Sequence, residues 1–323
     1  MALLPRFAPP SAAGQVLRPR VVGDWWRIAG DPDLGDLTTA DQQPVDFSVW
    51  QAADTMWELW SCIRNTKEQG HTRLFHRWTS VALTDRDWKP AGIAMRADAK
   101  FGERPGGLQA PFVFRDGGRF VMFYGGWDAI CSASSTDGKH FERQLNAEGK
   151  ATLFGERSGN TRDPMVLRVG GAWHCYYTAH PQNQGAGYCR TSPDLRQWSG
   201  PRVVARGGRA GTGPSSSECP FVVELAPGEF YLFRTQQYGE DAQTSVYFSR
   251  DPLDFGVDND EGHFVCTLPV AAPEIIRYKH HWFIAALLPS LKGIQVSHLA
   301  WDIAHLGAER RPDLTTQPRA AQA

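Results

Sequence analysis

One stretch of sequence decides the fold: Arg162-Asp163-Pro164-Met165-Val166-Leu167, followed by Gly170-Gly171 and then by Trp173-His174-Cys175-Tyr176-Tyr177. Its two apolar runs are rich in β-branched and aromatic residues, which favour strands. The glycine pair between them is typical of a tight hairpin turn, because glycine reaches the positive φ angles that such turns need. The stretch is therefore predicted to be a β-hairpin whose first strand opens with an acid.

The same plan occurs at four other places in the chain. Each begins with an acid or Ala-Pro, continues through a short apolar run and a turn, and ends in an aromatic-rich strand. The four segments are 45–61, 110–124, 218–233 and 273–285. Successive openings lie about 53 to 64 residues apart. A third strand-like run often follows each hairpin, and four strands fit that spacing, which is typical of a propeller blade.

The repeat predicts an all-β chain that forms a single five-bladed β-propeller over residues 1–323. The blades are expected to start near 46, 110, 163, 218 and 273, and residues 1–43 to form an extension that helps to close the ring. The segment 300–309 is a weak helix candidate. A sandwich of six or more strands is the alternative fold, but it would not explain why one opening recurs five times.

Composition narrows the function. The 34 basic and 35 acidic residues give a net charge of −1, so we expect no nucleic-acid partner. The chain has 12 tryptophans, and we expect about a quarter of them to line a sugar site, where a flat apolar face suits a sugar ring. The six scattered cysteines are expected to be buried free thiols of a reduced cytosolic protein.

Targeting signals are not expected. The apolar run within residues 1–14 is too short and too broken for a secretory signal, and no window approaches eighteen apolar residues. We therefore expect a cytoplasmic protein with no membrane partner. The sequence does not set the oligomeric state.

Carboxylates stand at the heads of several predicted blades. The first strand of each blade lines the central channel of a propeller, so residues at the starts of these strands converge at one mouth. Asp46, Asp163 and Glu218 occupy such positions, Glu274 opens the fifth blade, and Gln109 stands in the second. Acids gathered in one pocket repel each other, which indicates a functional cluster.

Other interpretations of these acids stay open. Asp163 precedes a proline, and an acid in this position can also serve only to cap a strand. Glu274 is equally well interpreted as a hydrogen-bond acceptor that joins two blades. As a cluster, however, the acids match glycosidic bond hydrolysis, in which one carboxyl donates a proton and another attacks the anomeric carbon or activates water.

The motifs resemble those of the five-bladed propeller glycosidases. Arg162-Asp163-Pro164 and Glu218-Cys219-Pro220 are similar to the Arg-Asp-Pro and Glu-Cys-Pro motifs of the fructosidases of family 32. The sequence around Asp46 is more similar to the Asp-Pro-x-Val motif in the first blade of the arabinofuranosidase-like enzymes of family 43. The resemblance implies Asp46 as nucleophile or base, Glu218 as general acid and Asp163 as transition-state stabiliser.

Further residues are expected to bind substrate, either at the strand heads or at the rim, after the second strand of a blade. These are Arg64, Gln109, Trp127, Asp128, Arg162, His180, Arg234 and Glu274. We expect two or three of the rim residues to touch the ligand.

The leading functional hypothesis is an exo-acting glycosidase that removes a terminal sugar, with a furanose as one candidate, from an oligosaccharide or glycoside. A carbohydrate-binding propeller without catalysis is one alternative. An enzyme that transfers a glycosyl group to phosphate or to another sugar is a second, with Arg162, Arg190 or Arg234 supplying positive charge. No metal and no cofactor are expected, although so many acids near the axis are compatible with a structural cation.

Overall fold

The computed structural model describes residues 15–157 and 160–304. In this part of the chain 22 strands form five antiparallel sheets arranged as the blades of a propeller, and the only helical segments are five short 3-10 turns. These turns are Gly35–Leu37, Ala99–Phe101, Pro181–Asn183, Gly208–Ala210 and Gly239–Asp241. The predicted five-bladed, all-β fold is confirmed.

Each blade begins at the axis with the first strand of a hairpin. Blade I contains β2 (Gln43–Gln51), β3 (Trp57–Arg64), β4 (Leu74–Ser80) and β5 (Lys89–Met95). Blade II contains β6 (Gln109–Asp116), β7 (Arg119–Gly125), β8 (Ile130–Ser135), β9 (Glu142–Arg143) and β10 (Thr152–Phe154). Blade III contains β11 (Arg162–Val169), β12 (Ala172–Ala179), β13 (Ala186–Ser192) and β14 (Arg202–Gly207).

The last two blades complete the ring. Blade IV contains β15 (Glu218–Ala226), β16 (Glu229–Gln237), β17 (Gln243–Ser249) and β19 (Phe264–Leu268). Blade V contains β20 (Glu274–Tyr278), β21 (His281–Leu287), β22 (Gly293–Ile303) and β1 (Leu17–Gly30). The remaining strand, β18 (Val257–Asp258), lies in the connection between β17 and β19 and pairs in parallel with β14, so it ties this connection of blade IV to the outer edge of blade III.

The hairpin turns follow from local chemistry. Gly170 and Gly171 form the two-residue turn between β11 and β12, with φ angles of 55° and 89°. Both angles lie in the left-handed region that a primed turn requires and that glycine adopts without steric cost. The turn therefore holds the register in which Val169 lies opposite Ala172.

The ring closes through an early segment of the chain. Strand β1 pairs antiparallel with β22 along most of its length and becomes the outermost strand of blade V. An unpaired β22 edge would expose a row of backbone groups, and β1 covers it. The prediction of a weak helix over 300–309 is wrong as far as Ile303, because these residues pair with β1; the remainder of the segment, from 305 on, lies outside the described residues.

Aromatic residues fill the space between neighbouring blades. Trp50 and Trp60 of blade I meet Phe141 of blade II with ring centroids 5.9 and 5.2 Å apart, and Phe114 of blade II lies 5.3 Å from Trp173 of blade III. Such contacts add to the burial of large apolar surfaces. All six cysteines are free, and five of them are buried in this core, as predicted.

Candidate active site

Every blade has a kinked backbone residue near the start of its innermost strand. The kinked residues have φ between 39° and 56°, a range that non-glycine residues seldom adopt. They are Asp46, Ala110, Asp163, Cys219 and Ala272. In blades I to IV the kink coincides with a shift of strand register. Bulges of this kind re-aim side chains and are common beside active sites.

The kinks of blades I, III and IV border a polar cavity of about 230 Å³ near the axis. Charged and amide side chains dominate its wall, in contrast to the apolar space behind it that Phe47, Pro111 and Met165 help to line. The cavity-lining residues are Val45, Asp46, Arg64, Arg73, Gln109, Asn160, Arg162, Asp163, His180, Pro214, Ser215, Glu218 and Tyr238.

Seven of the residues singled out from the sequence lie in this wall. They are Asp46, Arg64, Gln109, Arg162, Asp163, His180 and Glu218. The three acids assigned to catalysis are thus brought together from the innermost strands of three blades. Gln109 is 1% exposed, and its Oε1 has no hydrogen-bond partner among the described residues. An unpaired buried acceptor is uncommon in native folds, so this amide stands out among the residues of the wall.

Arg162 connects two of the acids. Its Nη2 donates a hydrogen bond to Glu218 Oε1, and its Nε lies 3.7 Å from Asp163 Oδ2. Arg162 and Asp163 are only 7% and 5% exposed. Burial alone would lower the pKa of Arg162, but the charges of Asp163 and Glu218 outweigh it and hold this pKa above its ordinary range. Arg162 therefore stays cationic between the two carboxyl groups.

Asp163 sits in the least solvated part of the cluster. Burial raises the pKa of its carboxyl from 3.8 to about 7, the charge of Arg162 opposes the rise, and the charges of Asp46 and Glu218 add to it. An oxygen of Asp46, an oxygen of Asp163 and Cys219 Sγ all lie within 4.8 Å of one another. Two carboxylates at this separation repel each other when both are charged, which is why the charge of Asp46 adds to the raised pKa of Asp163.

Cys219 and Tyr238 support Asp46 from blade IV. Cys219 Sγ donates to Asp46 Oδ1 at 3.4 Å and lies 3.3 Å from Tyr238 Oη. Burial raises the pKa of the Cys219 thiol and of the Tyr238 hydroxyl well above their ordinary values, and the neighbouring carboxylates add to both shifts. Both groups are therefore protonated at neutral pH, and the chain Tyr238–Cys219–Asp46 can orient the Asp46 carboxylate.

The same cluster offers three possible ligand atoms to a cation. Asp46, Asp163 and Cys219 each offer one ligand atom. A calcium ion takes about six to eight oxygen ligands, and this set supplies carboxylate oxygens from two residues only. The thiol already donates to Asp46, which gives it a role without a metal. The absence of a metal and of a cofactor stays a prediction.

Four residues expected to bind substrate lie outside the cavity wall. Trp127 stacks on His71 with ring centroids 3.6 Å apart. It contacts the wall residue Arg73, whose guanidinium carbon lies 5.3 Å from the Trp127 ring. Asp128 is exposed and pairs with Arg104 at 2.5 Å. Among the described residues no tryptophan lines the cavity, contrary to the expectation for this residue type.

Arg234 and Glu274 are buried away from the cavity. Arg234 is 1% exposed and donates to the carbonyl oxygens of Ser216, Gly207 and Gly211, so it braces the loop that leads to Glu218. Glu274 Oε2 accepts a hydrogen bond from Val49 N at 2.9 Å and thereby joins blade V to blade I. This contact matches the blade-joining interpretation of Glu274.

Several wall residues were not predicted from the sequence: Arg73, Asn160, Pro214, Ser215 and Tyr238. Tyr238 directly follows β16, the second strand of blade IV, so the rule that indicated Arg64 and His180 would have found it. Arg73 precedes the third strand of blade I, which that rule does not cover. Asn160 and Ser215 lie in loops whose course no local pattern sets.

Comparisons with known proteins fit this fold. No protein-family model matches the sequence. Two uncharacterized proteins from two strains of Mycobacterium tuberculosis are 27% identical over 184 residues, or 51% of this chain. The match covers 54% of those proteins, so the chain spans about half the length of these relatives.

Solved structures share the five-bladed propeller. A thermostable family-43 glycoside hydrolase is 18% identical, with a TM-score of 0.61 over 86% of this chain and 96% of that one. An endo-arabinase from Bacteroides thetaiotaomicron is 15% identical, with a TM-score of 0.60 over 82% and 95%. A family-32 β-fructofuranosidase from Bombyx mori is 16% identical, with a TM-score of 0.59 over 88% of this chain and 62% of that one.

At these identities the likeness establishes the fold. It is the propeller of glycoside hydrolases of families 43 and 32, the architecture that the two tripeptide motifs implied. Within residues 15–157 and 160–304, no helix is long and apolar enough to cross a membrane.

Proposed function

We propose that the protein is a glycoside hydrolase that removes a terminal sugar from an oligosaccharide or glycoside. One observation carries the proposal: Asp46, Asp163 and Glu218, from the innermost strands of three blades, line one polar cavity near the propeller axis. Neighbours in fold act as glycoside hydrolases, which supports the same reaction class here.

The three acids divide the reaction between them. Glu218 donates a proton to the leaving oxygen as general acid, and Asp46 attacks the anomeric carbon or activates a water against it. Both roles need a carboxyl group that faces the cavity, and both residues line it. The Cys219 thiol supports this assignment, because its hydrogen bond holds Asp46 in one orientation.

Asp163 stabilises the transition state. Its raised pKa means that a proton resides on it for part of the time near pH 7, so it can donate a hydrogen bond to a sugar hydroxyl. When that proton leaves, its charge favours the positive charge that develops on the sugar ring. Arg162 lies beside both Asp163 and Glu218 and holds the two carboxyl groups on either side of one guanidinium group.

The size of the cavity supports action on a terminal residue. Its volume of about 230 Å³ is below the roughly 300–1,000 Å³ of sites that hold drug-sized ligands, so it suits one sugar ring. The unpartnered Gln109 Oε1 offers an acceptor to a hydroxyl of that ring.

The test is a screen of purified protein against aryl furanosides, aryl pyranosides and natural oligosaccharides, with Glu218→Gln alongside. Loss of the general acid is expected to lower kcat about 10²- to 10⁴-fold. Glu224→Gln, on the same strand but away from the cavity, is the matched control and should keep full activity. Unchanged hydrolysis in Glu218→Gln would refute the assignment. Sugar binding without any product release would favour a carbohydrate-binding propeller instead.

A further inference from the structure

Two arginines face each other across the blade I edge of the cavity. Arg64 is the last residue of β3, and Arg73 immediately precedes β4. Ile63 lies opposite Leu74 in this antiparallel pair, so the same register places Arg64 opposite Arg73. Both side chains line the cavity that holds Asp46, Asp163 and Glu218.

The pair has no carboxylate partner among the residues that the structure describes. Arg64 Nε donates to the neutral Gln43 Oε1 at 2.8 Å. Arg73 has the Trp127 ring as its neighbour, with its guanidinium carbon 5.3 Å from the ring centroid. Within the part of the chain that the structure describes, no carboxylate oxygen lies within 4.0 Å of either guanidinium group. Arg162, in contrast, contacts both Asp163 and Glu218.

Such an arrangement is unfavourable unless a ligand completes it. Like charges directly opposite each other on adjacent strands are destabilising. The wall nevertheless holds both side chains in place: Gln43 fixes Arg64, while the stack of His71 on Trp127, with centroids 3.6 Å apart, backs Arg73. Guanidinium groups held in this way retain free donors that match carboxylate and phosphate oxygens.

We propose that Arg64 and Arg73 form an oxyanion subsite and that the sugar bound at the axis carries a negatively charged group, either a carboxylate or a phosphate monoester. This inference rests on the proposed function, since it specifies the substrate class of the same cavity. The two arginines bind the charged group together, and the three acids of the other blades act on the anomeric end of the same sugar.

Binding provides a test that does not need turnover. Isothermal titration would be run with inorganic phosphate and with free glucuronate and galacturonate, each against neutral glucose and galactose. The wild type is expected to bind one anion class at least about tenfold more tightly than the neutral sugars. Arg64→Gln and Arg73→Gln should each weaken that binding about tenfold or more. Arg104→Gln, a rim arginine paired with Asp128 outside the wall, should leave it unchanged.

The same variants report on the fold. Because each substitution removes one of two like charges, neither Arg64→Gln nor Arg73→Gln should lower the melting temperature, so weaker binding cannot be ascribed to unfolding. Arg73→Lys keeps the charge but not the planar fork, and it should recover only part of the binding.

Turnover provides the second arm. Aryl glycosides would be compared in matched pairs, neutral against uronide and neutral against 6-phosphate. The proposal expects kcat/KM at least about tenfold higher for one anionic partner, with that preference lost in Arg73→Gln. Equal binding of neutral and anionic probes, or an anion preference that survives both Arg→Gln variants, would overturn it. Anion binding without hydrolysis of any glycoside would uphold the subsite and count against the proposed hydrolase.

Discussion

Asp163 Oδ2 accepts a hydrogen bond of 3.0 Å from the backbone N–H of Cys219, so the carboxyl group of blade III is held by the innermost strand of blade IV. The donor belongs to the residue after Glu218, and the same cysteine contacts Asp46 through its thiol. One kinked residue in blade IV thus fixes the positions of two acids from other blades. The candidate active site is a property of the closed ring and not of any single blade.

Asp163 makes stability depend on pH. Its pKa in the folded protein is about 7, above the ordinary 3.8, so the folded state binds the proton more tightly than the unfolded chain does. The stabilisation that this proton provides is complete below pH 3.8 and is lost as pH rises through about 7, by up to about 4 kcal/mol. Asp163→Asn should remove that decline and unfold at a higher denaturant concentration than the wild type at pH 8.

Urea titrations at several pH values between 4 and 8 would measure the effect. The exposed Asp36→Asn variant is the control and should follow the wild type throughout. A parallel pH dependence in Asp163→Asn and the wild type would show that Asp163 ionises in the folded protein as it does in water.

Arg234 is expected to stabilise the fold and not to contact substrate. It is buried, and it donates to three carbonyl oxygens of the loop 207–217. Arg234→Gln cannot reach all three, and unpaired buried carbonyls are costly, so we expect a loss of about 3 kcal/mol in the free energy of unfolding. Denaturant unfolding checks this, with the exposed Arg196→Gln as control. A stable Arg234→Gln protein with a raised KM would point to direct contact with substrate.

The fold was predictable because its signal is local and repeated. Alternating apolar runs and glycine turns, such as Gly170-Gly171, set the hairpins, and five copies of one hairpin leave few closed architectures. The meeting of Asp46, Asp163 and Glu218 in one cavity was predictable for the same reason, since the innermost strands of all the blades surround the axis. Asp46 was found by register alone.

The rim was less predictable because it depends on distant contacts. Arg73 and Trp127 are 54 positions apart in the chain, yet the Arg73 guanidinium lies over the Trp127 ring, and of these two residues Arg73 lines the cavity. Arg234 directly follows the apolar run 230–233 and was therefore predicted to lie at the rim, but β16 continues to Gln237. The loop before Glu218 folds over Arg234 and accepts three hydrogen bonds from it. No pattern within blade IV indicates this loop path.

The prolines that follow the kinked residues show where Glu274 lies in the repeat. In four blades the kinked residue precedes a proline, as in Asp163-Pro164 and Cys219-Pro220. By this register the kink of blade V is Ala272, before Pro273, and Glu274 lies two positions beyond it. Its side chain therefore belongs among those that pack behind the cavity, where it also helps to line the apolar space.

Tyr238 is expected to be a positioning residue. Its hydroxyl lies 3.3 Å from Cys219 Sγ, which in turn donates to Asp46. Tyr238→Phe removes the outer member of this chain, so we expect kcat to fall about tenfold while KM changes little, together with a shift of the basic or acidic limb of the pH–rate profile. Tyr278→Phe, at a partly buried tyrosine outside the cavity, is the control. An unchanged pH profile would leave Tyr238 with a packing role only.

Variants of Glu274 distinguish a structural role at the joint between blades V and I from a catalytic role. Burial raises the pKa of its carboxyl to about 8, against the opposing effect of hydrogen bonds from Val49 N and Ser48, so the group is largely neutral at pH 7. Glu274→Gln keeps a neutral acceptor and should preserve both stability at pH 7 and kcat. It should also lack the loss of stability that the wild type shows as pH rises from 4.5 through about 8.

Glu274→Ala provides the contrast. It leaves the Val49 N–H unpaired and opens a void, so it should cost about 2–4 kcal/mol in the free energy of unfolding. Thermal and urea unfolding of both variants, with kcat measured on any glycoside that the screen identifies, distinguishes the roles. A stable Glu274→Gln protein whose kcat falls more than about tenfold would move Glu274 from the joint between blades into the catalytic machinery.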